Sequence, residues 1–150
     1  MPLKKLRLLL AEDHGDTRDL LTLVLTQENY EVDTTPSVAL ALELAKNQKF
    51  DAMIFDSHLD DGSGLDLCRN IRKYDLSTPI MFYSGLAYEK DKQEALNAGA
   101  QSYLVKPVDI PLLVETLGNL LADSKETAAQ VLRTSAARKD SGDLQPSSAL

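Results

Sequence analysis

Acidic, hydroxyl and basic side chains each follow or close a short apolar run that the sequence predicts to be a β-strand. These residues are Glu12 with Asp13, Asp56, Ser84 and Lys106. Because ligands of an open parallel sheet bind outside the carboxyl ends of its strands, the five side chains are expected to converge on one small site. Three carboxylates, a hydroxyl and an ammonium are suited to handling a phosphoryl group.

The chemistry of such a site depends on how its negative charges are compensated. Carboxylates that face one another repel, so the cluster favours a bound cation. Mg²⁺ suits a small open cluster, because it keeps several waters while taking one or two carboxylates and a phosphate oxygen. Asp56 would be the nucleophile, since a carboxylate is ionised near neutral pH and needs no general base. Lys106 and Ser84 would contact the phosphoryl oxygens.

The elements that must position these residues alternate along the chain. Apolar runs and segments of helical periodicity follow one another five times, which predicts βα units and a parallel sheet. Asp16 and Ser63 are predicted to cap the first and third helices, and Gly99 to end the fourth. The predicted strands cover about residues 6–11, 30–34, 51–56, 79–84 and 102–105.

Composition and charge limit the class of protein. The chain has 150 residues, of which 43% are hydrophobic and 26% charged, and this predicts one folded domain. A net charge of −7 argues against binding nucleic acid or anionic membrane and favours a protein partner. Cys68 is the single cysteine, so no intrachain disulfide can form, and we predict a reducing, cytoplasmic location. The apolar run at residues 8–11 is too short for a signal peptide or membrane span.

The composition shifts at Asp123. Residues 1–122 are predicted to form the domain, and residues 123–150 a C-terminal extension. Asp123 and Glu126 have the spacing of a capping box, which could start a further helix through about Arg138. Beyond it the chain is polar and is predicted to be a flexible tail. The extension could be a linker within a longer protein, a dimerisation helix or a partner-binding segment.

From Leu6 to Leu121 the chain resembles the receiver domain of bacterial two-component response regulators, of the single-domain type. The resemblance depends on the joint order and spacing of several motifs. These are Glu12-Asp13, Asp56 with the loop Asp61-Gly62-Ser63-Gly64, Ser84-Gly85, and Tyr103-Leu104-Val105-Lys106-Pro107. The resemblance implies a flavodoxin-like, doubly wound five-stranded parallel sheet of order 2-1-3-4-5 with five flanking helices.

The resemblance also implies roles for the acidic residues and the loop. Asp56 would be the phosphoacceptor. Asp13 would bind Mg²⁺ directly, Glu12 largely through water, and the backbone carbonyl of His58 would complete the metal site.

The remaining matched residues would bind the phosphoryl group and respond to it. Ser84 and Lys106 would bind phosphoryl oxygens, and the Lys106-Pro107 peptide bond would be cis. Ser84 and Tyr103 would form a switch that reshapes a protein-binding face when Asp56 is phosphorylated.

The function that follows is signalling in a phosphorelay. The donor would be a sensor histidine kinase or a histidine phosphotransfer protein, and the output would be contact with a downstream protein. We expect no direct contact with nucleic acid or membrane, and a monomer or weak dimer. Catalysis would be limited to self-catalysed phosphotransfer and slow autodephosphorylation, because no glycine-rich nucleotide loop is present.

Some residues depart from the family pattern and leave alternatives open. Asp60 stands where most receivers have proline and is expected to loosen its loop, and Gly85 replaces the usual alanine. One alternative is a docking module that keeps the fold but signals without phosphorylation. Another is a phosphatase of the haloacid dehalogenase type, but His58 occupies the position where that family needs a second acid. His14 and His58 are interpreted as solvated loop histidines, since neither has ligand spacing to another histidine or cysteine.

Overall fold

A computed structural model describes residues 4–142, except for the side chains at positions 128, 131 and 135–142. Within these residues no helix is long and apolar enough to cross a membrane. The elements in chain order are β1 Arg7–Ala11, α1 Gly15–Gln27, β2 Glu31–Thr35, α2 Val38–Asn47, β3 Ala52–Phe55, β4 His58–Leu59, β5 Gly62–Ser63, α3 Gly64–Arg72, β6 Ile80–Ser84, α4 Glu89–Asn97, β7 Ser102–Val105 and α5 Ile110–Gly142.

Five strands form one parallel sheet in the order β2-β1-β3-β6-β7. This is the predicted flavodoxin-like order, because β6 and β7 are the fourth and fifth predicted strands. The two short strands β4 and β5 pair antiparallel in the loop after β3 and were not predicted. The carboxyl ends of the five parallel strands therefore lie along one edge, as the site prediction requires.

The two faces of the sheet are covered by different helices. On one face, side chains of α2, α3 and α4 pack against residues such as Leu9, Phe55 and Phe82. On the other face, side chains of α1 and α5 pack against Leu8 and Ile54. Because the central strands are buried on both faces, they appear in the sequence as continuous apolar runs rather than as alternating ones.

The helix ends confirm two of the predicted signals and correct a third. The Ser63 hydroxyl accepts from the Asp66 N–H at 3.0 Å, and Gly99 ends its helix with φ of 113°. The N-cap of α1 is His14 rather than Asp16. The Nδ1 atom of His14 accepts from the Thr17 N–H at 3.3 Å, while Asp16 lies in the first turn. The imidazole nitrogen thus satisfies a free N–H of the first turn, as a capping carboxylate would.

The C-terminal helix corrects another prediction. The capping-box residues Asp123 and Glu126 lie inside α5 and start no new helix. Neither glycine nor proline occurs between Leu121 and Glu126, so nothing there breaks the helix. The helix also continues past the predicted end at Arg138, to Gly142, and residues 123–142 extend it by about 30 Å. Residues 143–150 of the predicted tail lie outside the described residues, and the boundary at residue 122 stays a prediction.

Candidate functional site

The strand ends bring the predicted site residues together. Glu12 follows β1, Asp56 follows β3, Ser84 ends β6 and Lys106 follows β7. Glu12 and Ser84 are each 1% exposed and Asp56 is 9% exposed, whereas Asp13 is open to solvent. The site therefore combines three buried polar side chains with one exposed carboxylate, that of Asp13.

Three carboxylates lie at the centre of this site. Glu12, Asp13 and Asp56 each place one carboxylate oxygen within 4.8 Å of the others. Oxygen ligands at this spacing fit one hard divalent cation after small side-chain adjustments. The His58 side chain is exposed on β4, and the contribution of the His58 carbonyl to a metal site stays a prediction.

Lys106 connects two of these carboxylates. Its Nζ atom lies 2.6 Å from Glu12 Oε1 and 3.3 Å from Asp56 Oδ2. Burial lowers the pKa of Lys106, but the hydrogen bond with Glu12 and the charge of Asp56 outweigh it, so the net pKa is raised. Lys106 is therefore a fixed cation directly beside the predicted nucleophile.

The two predicted switch residues meet at Leu86. The Leu86 N–H donates to the Ser84 hydroxyl at 3.1 Å, and the Tyr103 hydroxyl donates to the Leu86 carbonyl at 2.7 Å. The Tyr103 ring also stacks on Phe82, with 5.8 Å between ring centroids. Sequence reasoning missed Leu86, because it takes part only through its backbone and no side-chain pattern marks it.

Comparison with known proteins decides the family. The family model described as response regulator receiver domain matches residues 8–118. The chain belongs to the response regulator receiver family. Receiver domains are signalling modules of two-component systems.

The relatives of this receiver agree in fold and family. The cell cycle response regulators CtrA of Brucella abortus strain 2308 and of Brucella ovis are 32% identical over 129 residues, or 86% of this chain. The match covers 56% of each relative, so the receiver spans about half their length. A CheY-like receiver domain protein from Methanospirillum hungatei JF-1 superimposes with a TM-score of 0.80 at 27% identity, covering 83% of this chain and 99% of that one. A putative response regulator from Chloroflexus aurantiacus J-10-fl superimposes with a TM-score of 0.75 at 32% identity, covering 79% of this chain and 99% of that one.

The buried surroundings of Glu12 change the pKa of its carboxyl group. Burial of the carboxyl and its hydrogen bond with Asp56 raise this pKa from the ordinary 4.5 to about 7, against the opposing effect of Lys106. Burial is the largest of these effects, so the raised pKa reports mainly the loss of hydration around the Glu12 carboxyl. A cation bound beside Glu12 would favour the ionised form of its carboxyl.

This raised pKa predicts how stability depends on pH in the metal-free receiver. The folded state keeps a proton on Glu12 that the unfolded state has released, so the free energy of unfolding falls as the pH rises from about 4.5 to about 7. We expect this group to contribute a fall of about 1–3 kcal/mol. Urea titrations across this range check it, with Glu12→Gln as the variant that lacks the group. A slope in Glu12→Gln equal to that of the parent chain would contradict the assignment to Glu12.

The loop after Asp56 is anchored to the start of α2. The Asp60 N–H donates to the Pro36 carbonyl at 3.0 Å. The Asp61 carboxylate accepts from the Val38 and Ala39 N–H groups at 2.6 and 3.1 Å, and these bonds lower the pKa of Asp61. The Asp60 N–H, which a proline would lack, is therefore one of the anchors of this loop, and the expectation that Asp60 loosens the loop stays a prediction.

Asp61 acts as a helix cap supplied from a distant part of the chain. Replacing it in Asp61→Ala leaves two N–H groups at the start of α2 without their acceptor. We expect a lower Tm in thermal unfolding followed by circular dichroism. Asp60→Ala is the matched control, because it keeps the backbone bond to Pro36 and should leave Tm nearly unchanged. Equal Tm values for Asp61→Ala and the parent receiver would rule out the capping role.

Gly64 brings α3 against the backbone of the acceptor residue. Its N–H donates to the Ser57 carbonyl at 2.9 Å, which closes the loop after β3. A Cβ atom at this position would overlap the backbone carbonyl oxygen of Asp56 and press on the Phe82 ring at 3.2 Å. Only a glycine therefore lets the helix approach this closely.

Proposed function

We propose that this receiver accepts a phosphoryl group on Asp56 from the phosphohistidine of a sensor histidine kinase or a histidine phosphotransfer protein. The observation that carries the proposal is the convergence of Asp56 with Lys106, Glu12 and Asp13 at one edge of the sheet. An ionised nucleophile, a fixed cation and an acidic cluster are the parts that phosphoryl transfer to a carboxylate requires.

We include Mg²⁺ in this proposal as the cofactor. Glu12, Asp13 and Asp56 would hold it, with the His58 carbonyl as a predicted further ligand. The fit is supported by the spacing of the three carboxylate oxygens and by the mutual repulsion of the carboxylates, which a bound cation would relieve. When bound, Mg²⁺ would neutralise charge on the carboxylates and on the incoming phosphoryl oxygens.

The chain's own residues then account for the transfer. A lone pair of an Asp56 carboxylate oxygen forms the new bond to phosphorus. The bond from phosphorus to the donor nitrogen breaks, and its electron pair leaves with the imidazole. Lys106 Nζ, 3.3 Å from Asp56 Oδ2, can donate to a phosphoryl oxygen. The Ser84 hydroxyl accepts from the Leu86 N–H, so its own hydrogen can donate to a second phosphoryl oxygen.

Signalling to a downstream protein would follow from the two hydrogen bonds that Leu86 makes with Ser84 and Tyr103. Phosphorylation adds about −1.5 to −2 charges at neutral pH, which would draw the Ser84 hydroxyl toward Asp56. Since Ser84 and Tyr103 both bond to Leu86, this movement would alter the support of the Tyr103 ring. The affected surface is formed by α4, β7 and α5, and we propose that a downstream protein binds there. The acidic net charge favours a protein over nucleic acid or a membrane as that partner.

The proposal is tested by intact-mass analysis after incubation with Mg²⁺ and acetyl phosphate. We expect the parent receiver to gain the mass of one phosphoryl group and Asp56→Asn to gain none. Asn keeps the size of the side chain but removes the nucleophilic charge. If neither protein gains mass while the parent chain binds Mg²⁺, the alternative function, a phosphorylation-independent docking module, would replace this proposal.

A further inference from the structure

Lys106 has a third neighbour besides its two carboxylates. Its Nζ atom lies 5.4 Å from the centroid of the Tyr83 ring. This is within the distance of about 6 Å at which the face of an aromatic ring attracts a cation. The contact is partly shielded from water, because Tyr83 is 8% exposed and the Lys106 side chain 22%.

The Tyr83 ring is held in place by the core. Tyr83 lies on β6 next to Ser84 and belongs to the buried cluster that α1 and α5 cover, with Leu113 and Leu117. Its neighbour Phe82 belongs to the cluster on the opposite face, as strand alternation requires. The ring therefore cannot move away from Lys106 without disturbing this packing.

We propose that Tyr83 is a positioning residue for Lys106 in phosphoryl transfer. To contact the phosphoryl group, the ammonium must exchange a carboxylate oxygen for a phosphoryl oxygen. The attraction of the ring does not depend on which of these anions is present, so it holds the ammonium in both arrangements. An aliphatic side chain would preserve much of the packing but would not attract the cation. As a statement about the reaction, this inference rests on the proposed function.

The first test is kinetic. The rate of phosphorylation by acetyl phosphate is expected to fall about fivefold in Tyr83→Leu and to stay within about twofold in Tyr83→Phe, which keeps the ring face. In a Lys106→Gln background, Tyr83→Leu should cause no further loss, because the ring acts through the lysine. Tyr83→Met serves as a second aliphatic variant if Tyr83→Leu folds poorly. Tyr74→Leu is the control, since Tyr74 is a half-exposed tyrosine that follows α3.

The second test does not require phosphorylation. The NMR order parameter of the Lys106 ammonium in the metal-free receiver should drop in Tyr83→Leu and remain at the parent value in Tyr83→Phe. An unchanged order parameter in Tyr83→Leu would overturn the inference, as would an equal rate loss with and without Lys106. If the parent chain shows no phosphorylation at all, the proposed function fails, and the order parameter still decides whether Tyr83 positions Lys106.

Discussion

Replacing Lys106 by alanine is expected to slow phosphorylation by acetyl phosphate about a hundredfold or more. Lys106 is the cation beside Asp56, and its ammonium also pairs with Glu12 at 2.6 Å. Its removal takes away a donor to the transferring group and leaves two buried carboxylates without their partner. The rate is measured by intact mass over time at saturating Mg²⁺.

The matched control for this prediction is Lys90→Ala. Lys90 is also a lysine with an acidic neighbour, but its side chain is 83% exposed on α4. Its pair with Glu94 at 3.9 Å is worth little, so both rate and stability should stay near the parent values. Lys106→Arg should recover only part of the rate, because the planar guanidinium fits this space differently from a compact ammonium. A rate in Lys106→Ala within threefold of the parent would show that Lys106 takes no part in transfer.

Gly64→Ala is expected to lower the free energy of unfolding by about 2–4 kcal/mol. The added methyl group would overlap the Asp56 carbonyl oxygen, which is backbone and cannot turn aside. Relief requires a shift of α3 or of the acceptor residue itself. We therefore also expect slower phosphorylation in the fraction that folds. Urea denaturation and the acetyl phosphate assay measure the two effects separately.

Gly118→Ala provides the control for Gly64→Ala. No atom lies within 4 Å of a Cβ built at Gly118, and the position is inside α5. Alanine there should stabilise the chain by up to about 1 kcal/mol, because it favours the helical backbone. We expect the free energy of unfolding to fall only in Gly64→Ala. If Gly64→Ala, like Gly118→Ala, has a free energy of unfolding above the parent value, the close approach of α3 to Asp56 is contradicted.

Much of the fold was predictable because its determinants are local or set by topology. The apolar run before Asp56 predicted a strand buried on both faces, and the run before Lys106 predicted a further strand of the same sheet. The parallel arrangement then predicted that residues distant in sequence, such as Glu12 and Lys106, would meet at one edge. The distance of 2.6 Å between Lys106 Nζ and Glu12 Oε1 agrees with this prediction.

The features that sequence reasoning missed depend on contacts between distant segments or on the backbone. The Asp61 carboxylate caps α2 from another loop. A cap that joins two distant segments leaves no local sequence signal, either near Asp61 or at the start of α2. The spacing of Asp123 and Glu126 predicts a helix start, but α5 continues through it because no residue between Leu121 and Glu126 breaks the helix. The pattern around Tyr83 indicates only an apolar strand, since nothing local in the sequence places Lys106 over the Tyr83 ring.

The most direct test of the account is to locate the phosphoryl group after incubation with Mg²⁺ and acetyl phosphate. Borohydride reduces an acyl phosphate to an alcohol, so peptide mass spectrometry can identify the residue that carried it. We predict modification at Asp56 alone, dependent on Mg²⁺. Modification at another residue, or equal modification of Asp56 when Mg²⁺ is removed by a chelator, would contradict the site as described.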